Sequence, residues 1–128
     1  MNHRPYPARL LIIDDEPIVG KRLQQAFVKL GLEVAIFTSP VPAMAAMAKT
    51  PFDIVVTDMK MEGMDGIEVL RQARQLNSRA RVIIITGYAS QETADAATRE
   101  GVFDFLAKPF RLEELKTAVN RALEELEE

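Results

Sequence analysis

The chain has 128 residues, 48% hydrophobic and 27% charged, which fits one ordinary folded domain and excludes a largely disordered chain. It has no cysteine, which excludes disulfides, thiolate nucleophiles and cysteine zinc sites, and its one histidine, His3, is a poor basis for zinc or general-base chemistry. A net charge of −3, from 16 Lys+Arg against 19 Asp+Glu, argues against direct nucleic-acid binding.

Residues 1–8 read as an N-terminal extension whose charges and prolines do not make a signal peptide. No apolar run reaches the roughly 18 residues of a membrane span. The expectation is a cytoplasmic protein made of a single domain over 1–128, with its core at about 9–126. Leu10–Ile13 reads as a strand. Pro17 opens a helix, where its missing N–H costs nothing. Val19, Leu23, Phe27 and Leu30 recur at helical spacing until Gly31 closes that helix. Val34–Phe37 reads as a second strand, followed by a helix on Val41, Met44 and Ala48. Ile54–Val56 is a third strand. Asp65 and Glu68 then stand as N-cap and N3 of a capping box, opening a helix on Ile67, Leu70 and Ala73. Val82–Ile85 is a fourth strand, after which Ser90 can cap a helix and Gly101 end it. Phe103 to Leu106 is the fifth, and a last helix runs from Leu112 through Leu115, Val119 and Leu123 to Leu126.

The first, third and fourth runs are continuous and rich in β-branched residues, as in strands buried on both faces. Strands alternating with helices imply an α/β fold: a doubly wound, five-stranded parallel sheet with right-handed crossovers and helices on both faces. In the last helix Leu112, Leu115, Val119, Ala122 and Leu126 follow a 3-4-3-4 spacing. That stripe packs on the sheet or continues as the seam of a dimeric coiled linker, and the first reading is favoured.

In an open parallel sheet, ligands bind at the carboxyl ends of the strands. Those ends carry Asp14-Asp15, Thr57-Asp58, Thr86-Gly87 and Lys108-Pro109. Two unit charges about 5 Å apart repel by roughly 3 kcal/mol at an effective dielectric near 20. Converging carboxylates therefore raise a pKa or recruit a cation. With no histidine or cysteine beside them, these hard oxygens favour Mg²⁺. A cation, a carboxylate, a hydroxyl and a lysine together can hold a phosphoryl group, and a carboxylate can accept one covalently. Each residue also has a plainer reading: Asp14 or Asp15 as N-cap of the first helix, Asp58 as a loop acid, Thr86 as an ordinary strand end, Lys108 as a solvated lysine. The joint placement at four strand ends is what speaks for a site.

The ordered motifs Leu11-Ile12-Ile13-Asp14-Asp15-Glu16-Pro17, Asp58-Met59-Lys60-Met61-Glu62-Gly63-Met64-Asp65-Gly66, Thr86-Gly87-Tyr88 and Asp104-Phe105-Leu106-Ala107-Lys108-Pro109-Phe110 resemble the receiver domain of two-component response regulators. The resemblance covers about Arg9 to Leu126 and implies the flavodoxin-like (βα)5 fold. It implies Asp58 as phosphoacceptor, forming an aspartyl phosphate with a group from a sensor histidine kinase or a phosphotransfer protein of a phosphorelay. It implies Mg²⁺ held by Asp14, Asp15, Asp58 and the backbone carbonyl of Lys60. Lys108 would pair with a phosphoryl oxygen, and Thr86 would turn its hydroxyl to the phosphate. Phe105 takes the place of the aromatic switch residue, and the Lys108-Pro109 bond would be cis. The domain would catalyse only its own phosphotransfer and dephosphorylation, and would control an output domain or partner protein, with a phosphorylation-dependent homodimer as one further form. The stretch from Gly101 to Phe110 looks more like receivers attached to transcriptional activators than like stand-alone chemotaxis regulators.

Glu62 departs from the family, where proline is usual, and Phe105 lacks the hydroxyl of the tyrosine found in many relatives. Three other readings fit less well. A haloacid-dehalogenase-type phosphatase needs Asp-x-Asp after the first strand, where this chain has Asp14-Asp15-Glu16. A flavodoxin-like FMN carrier needs a phosphate loop where these acids would repel phosphate. A degenerate receiver would lack the acid, hydroxyl and lysine set.

Overall fold

The structure, a computed structural model, describes residues 7–127, so His3 and most of the N-terminal extension lie outside the described residues. Five parallel strands, β1 (Arg9–Ile13), β2 (Glu33–Phe37), β3 (Ile54–Asp58), β4 (Arg81–Thr86) and β5 (Asp104–Ala107), form one sheet in the order β2-β1-β3-β4-β5. They alternate with α1 (Pro17–Val28), α2 (Pro40–Lys49), α3 (Gly66–Leu76), α4 (Gln91–Arg99) and α5 (Leu112–Leu126). This is the doubly wound architecture expected from the sequence. The three continuous apolar runs are the three inner strands, and β2 and β5, at the edges, are only half-buried.

Both sheet faces are covered. Leu10, Ile12, Ile54, Val56, Ile83 and Ile85 point into a core shared with α1 and α5. Leu11, Ile13, Val55, Val82 and Ile84 point into a second core with α2, α3 and α4. Alternate residues of a strand face opposite sides, so inner strands flanked by two helix layers must be apolar at every position.

The helix ends follow local chemistry. Gly31 takes φ +91°, and the Leu32 N–H reaches back to the Phe27 carbonyl while Gly31 N–H bonds Val28, a Schellman closure. That closure turns Leu30 outward, where it is exposed, and Leu32 enters the core in its place. In α2 the buried stripe is Pro40, Ala43, Met44 and Met47, whereas Val41 and Ala48 are exposed. An alanine-rich helix offers two apolar stripes, and spacing alone cannot choose between them. The Asp65 carboxylate accepts the Glu68 N–H at 2.9 Å, but the return bond that would complete the box is not formed. Ser90 and Thr93 do form a reciprocal box on α4. In α5, Leu115, Val119, Ala122 and Leu126 are buried against the sheet and only Leu112 is exposed, so this stripe is core rather than a free seam. The Lys108-Pro109 bond is cis. No helix among the described residues is long and apolar enough to cross a membrane.

Candidate functional site

Asp58 is the last residue of β3 and Thr86 the last of β4, while Asp14 and Lys108 each lie one residue past a strand end. Backbone hydrogen bonds carry the ladder just beyond the strands: Asp14 N–H to the Phe37 carbonyl at 3.0 Å, Met59 N–H to Ile85 at 2.8 Å, and Lys108 N–H to Thr86 at 2.8 Å. These bonds hold the site residues in the sheet's own register. Strand alternation then sorts them. Asp14, Asp58 and Lys108 share the phase of Ile12, Val56 and Leu106, and Thr86 shares the phase of Ile84.

The Lys108 Nζ lies 3.0 Å from Asp58 Oδ1. Asp14 lies beside the same carboxylate, within reach of a side-chain hydrogen bond to Asp58. Burial pushes the Asp14 carboxyl up to about 6, with the charge and hydrogen bond of Asp58 adding to the rise and the Glu16 N–H and Lys108 opposing it. Burial works against the Lys108 charge, yet Asp58, Asp14 and Glu16 together raise its pKa above the usual lysine value. Asp14 Oδ1 accepts the Glu16 N–H at 2.8 Å, closing an Asx turn. The N-cap of α1 is Glu16, without a side-chain cap bond, so neither Asp14 nor Asp15 serves as that cap.

Carboxylate oxygens of Asp14, Asp15 and Glu16 lie within 4.8 Å of one another, Asp14 buried and the other two exposed. A set of hard oxygens around one buried acid fits Mg²⁺ or Ca²⁺, which take carboxylates and keep waters. Glu16 is the member that sequence reasoning passed over, because it reads as the residue before a helix-opening proline. Asp58, expected in the same ligand set, is in this structure the ion-pair partner of Lys108. Glu62 is exposed and lines a cavity of about 400 Å³ with Asp15, Thr38, Ser39, Val41 and Gly63.

Thr86 is buried and its Oγ1 accepts the Tyr88 N–H at 3.0 Å. Phe105 pairs with Ile84 in the sheet register and packs half-buried against the core of α2, α3 and α4. Thr86 and Phe105 therefore share one face of the sheet, opposite to that of the Asp58–Lys108 pair. Gly66 opens α3 with its N–H on the Met59 carbonyl at 2.7 Å. A Cβ there would stand 2.8 Å from the Asp58 carbonyl oxygen and 2.9 Å from the Met59 Cα, so only glycine lets the helix start this close to the site. The sequence held a signal for this in Asp65-Gly66, an N-cap followed by a residue of poor helix propensity.

A family model described as the response regulator receiver domain matches residues 10–120. The chain is 41% identical to the regulatory protein AtoC of Escherichia coli over 91% of its own length and 25% of that protein's. It is 38% identical to the C4-dicarboxylate transport transcriptional regulatory protein DctD of Pseudomonas aeruginosa, over 94% and 26%. The chain thus spans about a quarter of the length of the curated relatives it matches. Among solved structures it is similar to a CheY-like receiver domain protein of Methanospirillum hungatei, at TM-score 0.90 and 28% identity over 94% of this chain and 97% of that one. It is also similar to the beryllofluoride-activated NtrC4 receiver domain dimer, at TM-score 0.86 and 28% identity over 92% and 98%. The four strand-end motifs and all of the 2-1-3-4-5 sheet except Arg9 sit inside the matched span, and the chain belongs to the response regulator receiver domains of two-component signal transduction.

Proposed function

We propose that this protein is a phosphorylation-activated switch in which Asp58 accepts a phosphoryl group from a sensor histidine kinase or phosphotransfer protein. The observation that carries the reading is the 3.0 Å approach of Lys108 Nζ to Asp58 Oδ1, beside buried Asp14 at the carboxyl end of the sheet. The Asp58 carboxylate attacks phosphorus and the bond to the donor nitrogen breaks. Lys108 meets the charge on the phosphoryl oxygens with an ammonium that its acidic surroundings keep protonated. Asp14, Asp15, Asp58 and the Lys60 carbonyl would hold Mg²⁺, with Glu16 as a further carboxylate of the cluster. Mg²⁺ supplies charge neutralisation at the phosphoryl oxygens when bound. The same residues support hydrolysis, in which a water attacks phosphorus and the bond from phosphorus to the Asp58 oxygen breaks, releasing inorganic phosphate, and the domain acts only on its own phosphoryl group.

Thr86 turns its hydroxyl toward the new phosphate and Phe105, on the same sheet face, follows it, shifting the face made by α4, β5 and α5. That face addresses an output domain or partner protein. The activated relative's dimer supports a phosphorylation-dependent homodimer here as well. An apolar groove of about 580 Å³ beside Lys108, lined by Val19, Leu23, Pro109, Phe110 and Leu112, seats the phosphodonor next to Asp58. The switch is read as one domain of about residues 9–126, working in the cytoplasm behind an extension at residues 1–8.

Incubation with acetyl phosphate and Mg²⁺ should add one phosphoryl group, about 80 Da, in an alkali-labile form. An adduct that persists at the same level in Asp58→Asn overturns the assignment.

A further inference from the structure

We propose that an arginine-lined groove at the amino edge of the sheet binds a chain of phosphate groups, as carried by a nucleoside triphosphate or by inorganic polyphosphate. The groove has a volume of about 800 Å³ and is lined by Arg74, Arg79, Arg81 and Arg121, with Glu124 and Glu125 on its α5 side. Arg74 lies in the last turn of α3, Arg81 opens β4 and Arg121 lies in α5. The phosphoacceptor site is at the other edge, where β4 ends at Thr86. At about 3.3 Å per residue the two ends of β4 stand roughly 16 Å apart, so the groove is a second site and not an extension of the first.

Two of the four guanidiniums are paired with acids. Arg81 Nε lies 3.0 Å from Glu125 Oε1, and Arg121 Nη2 bonds Asp104 Oδ2. The other two are held without being neutralised. Arg74 Nη1 donates to the Gly101 carbonyl at 3.0 Å and Arg79 Nη2 to the Leu126 carbonyl at 3.0 Å, and among the described residues neither has a carboxylate partner. A carbonyl orients a guanidinium but leaves its full charge for an anion. Glu124, exposed on the groove wall, is the acid that opposes that charge.

The donors are fixed before any ligand arrives, which lowers the entropy lost on binding. Gly101 has φ +88°, and a Cβ built there would stand 2.8 Å from Arg74 Nη1 and 3.2 Å from its Cζ, so glycine gives that guanidinium its seat. The Arg79 N–H donates to Asn77 Oδ1 at 3.1 Å and Asn77 Nδ2 donates to the Phe52 carbonyl at 3.1 Å, which fixes the turn between α3 and β4. Arg121 Cζ sits 5.7 Å from the centroid of the Phe103 ring, within cation–π reach. Each guanidinium has five N–H donors and spends one or two of them on the protein. The remaining donors suit phosphate oxygens, which a guanidinium fork takes two at a time. One phosphate has too few oxygens for four forks, whereas a phosphate chain carries charge on every unit. An extended acidic peptide turns a carboxylate to one side only every 6.6 Å or so, roughly twice the strand rise, and matches so compact a set of cations less well.

The test titrates the full chain calorimetrically with ATP, inorganic tripolyphosphate, orthophosphate and an oligoglutamate peptide. A chelator removes divalent cations, so that no metal bridges phosphate to the acids beside Asp58. ATP and tripolyphosphate should bind at one site, more tightly than orthophosphate, and more weakly as salt rises. Equal affinity assigns the contact to the phosphate chain alone, and tighter ATP binding adds the nucleoside to it. Arg74→Gln and Arg79→Gln should each weaken binding about two- to fivefold, and Glu124→Gln should strengthen it by a similar factor. No binding of either chain, orthophosphate binding as tightly, the peptide binding more tightly, or unchanged affinity in both arginine variants overturns the proposal. Loss of binding in Lys108→Ala also overturns it, because the phosphate chain would then lie at the opposite edge. A thermal melt of each variant confirms the fold before binding is read, and Glu124→Gln, which breaks no side-chain bond among the described residues, answers independently of the arginine variants.

Discussion

Lys108 and Asp58 meet at 3.0 Å although they are 50 positions apart in the chain, and their ion pair stands against a second carboxylate, Asp14, that shares the same strand phase. The lysine therefore offsets the charge of two acids that stand beside each other in a poorly solvated place. Lys108→Ala should leave Asp58 and Asp14 uncompensated and lower stability by about 1–2 kcal/mol at neutral pH, below the usual cost of a broken buried pair because Lys108 is partly exposed. Asp58→Asn should be neutral or stabilising, because it removes the repulsion and leaves a lysine that water can reach. Thermal melts without divalent cation check the opposite signs, and a Lys108→Ala variant as stable as the parent would show that the lysine does not offset the repulsion of the two acids.

Asp14 gives the fold a pH dependence whose sign follows from its raised pKa. A carboxyl at about 6 in the fold and 3.8 in the open chain favours folding when protonated. That contribution is complete below about 3.8 and is lost as pH rises through about 6. At 1.36 kcal/mol per pH unit the ceiling is about 3 kcal/mol. Asp14→Asn should then raise the melting temperature at pH 7.5, corresponding to about 1–3 kcal/mol, and bring little gain at pH 4. A gain of equal size at both pH values would mean that titration of Asp14 is not the cause.

Divalent cation binding should depend on the acid cluster carboxylate by carboxylate. Asp15→Asn and Glu16→Gln should each weaken Mg²⁺ binding in calorimetric titration, with Asp15→Asn the larger loss. Because protons and Mg²⁺ compete for Asp14, the stabilisation by Mg²⁺ should also be smaller at pH 5 than at pH 7.5. Asp15→Asn binding Mg²⁺ as tightly as the parent would remove the cluster from the metal site.

Activation should move α4 unevenly. Its C-terminal end is tied to α3 by a two-bond pair of Arg71 with Glu100, each bond 3.2 Å, and by Arg74 on the Gly101 carbonyl at 3.0 Å. Within the helix only Ala97 is buried, and residues 87–90 ahead of it are exposed. Hydrogen exchange with beryllofluoride should therefore change most over residues 87–95 and least at 99–101. Unchanged protection across 87–107 would count against Thr86 and Phe105 as the coupling pair.

Glu62 stands where the resemblance to receiver domains leads to the expectation of a proline. Among the described residues its N–H donates no hydrogen bond, so proline removes nothing there. Glu62→Pro should stabilise the fold by about 0.4–1 kcal/mol by restricting the open chain, and phosphorylation should persist. A destabilised Glu62→Pro in thermal melts would mean that the loop after Asp58 follows a path of its own, and the place of the Lys60 carbonyl on the metal would fall with it.

The order of strands and helices, the inner position of three strands and the candidate residues Asp14, Asp58, Thr86 and Lys108 are legible in the sequence. Two-sided burial writes an unbroken apolar run, and a polar residue that ends such a run marks the sheet edge where ligands bind. Leu115, Val119 and Leu126 left their function open between core and seam, and contact with the sheet decided it. Helical spacing did not tell which apolar residues are buried: Val41, Ala48 and Leu30 are exposed, because an alanine-rich helix has two equivalent apolar stripes and a glycine closure redirects the residue before it. Which side of the sheet each site residue takes, the pairing of Lys108 with Asp58 rather than with solvent, the rise of Asp14 and the place of Glu16 among the acids are through-space facts. They depend on strand register and on the distance between chain segments that only folding brings together, and no local pattern of residues encodes such a distance.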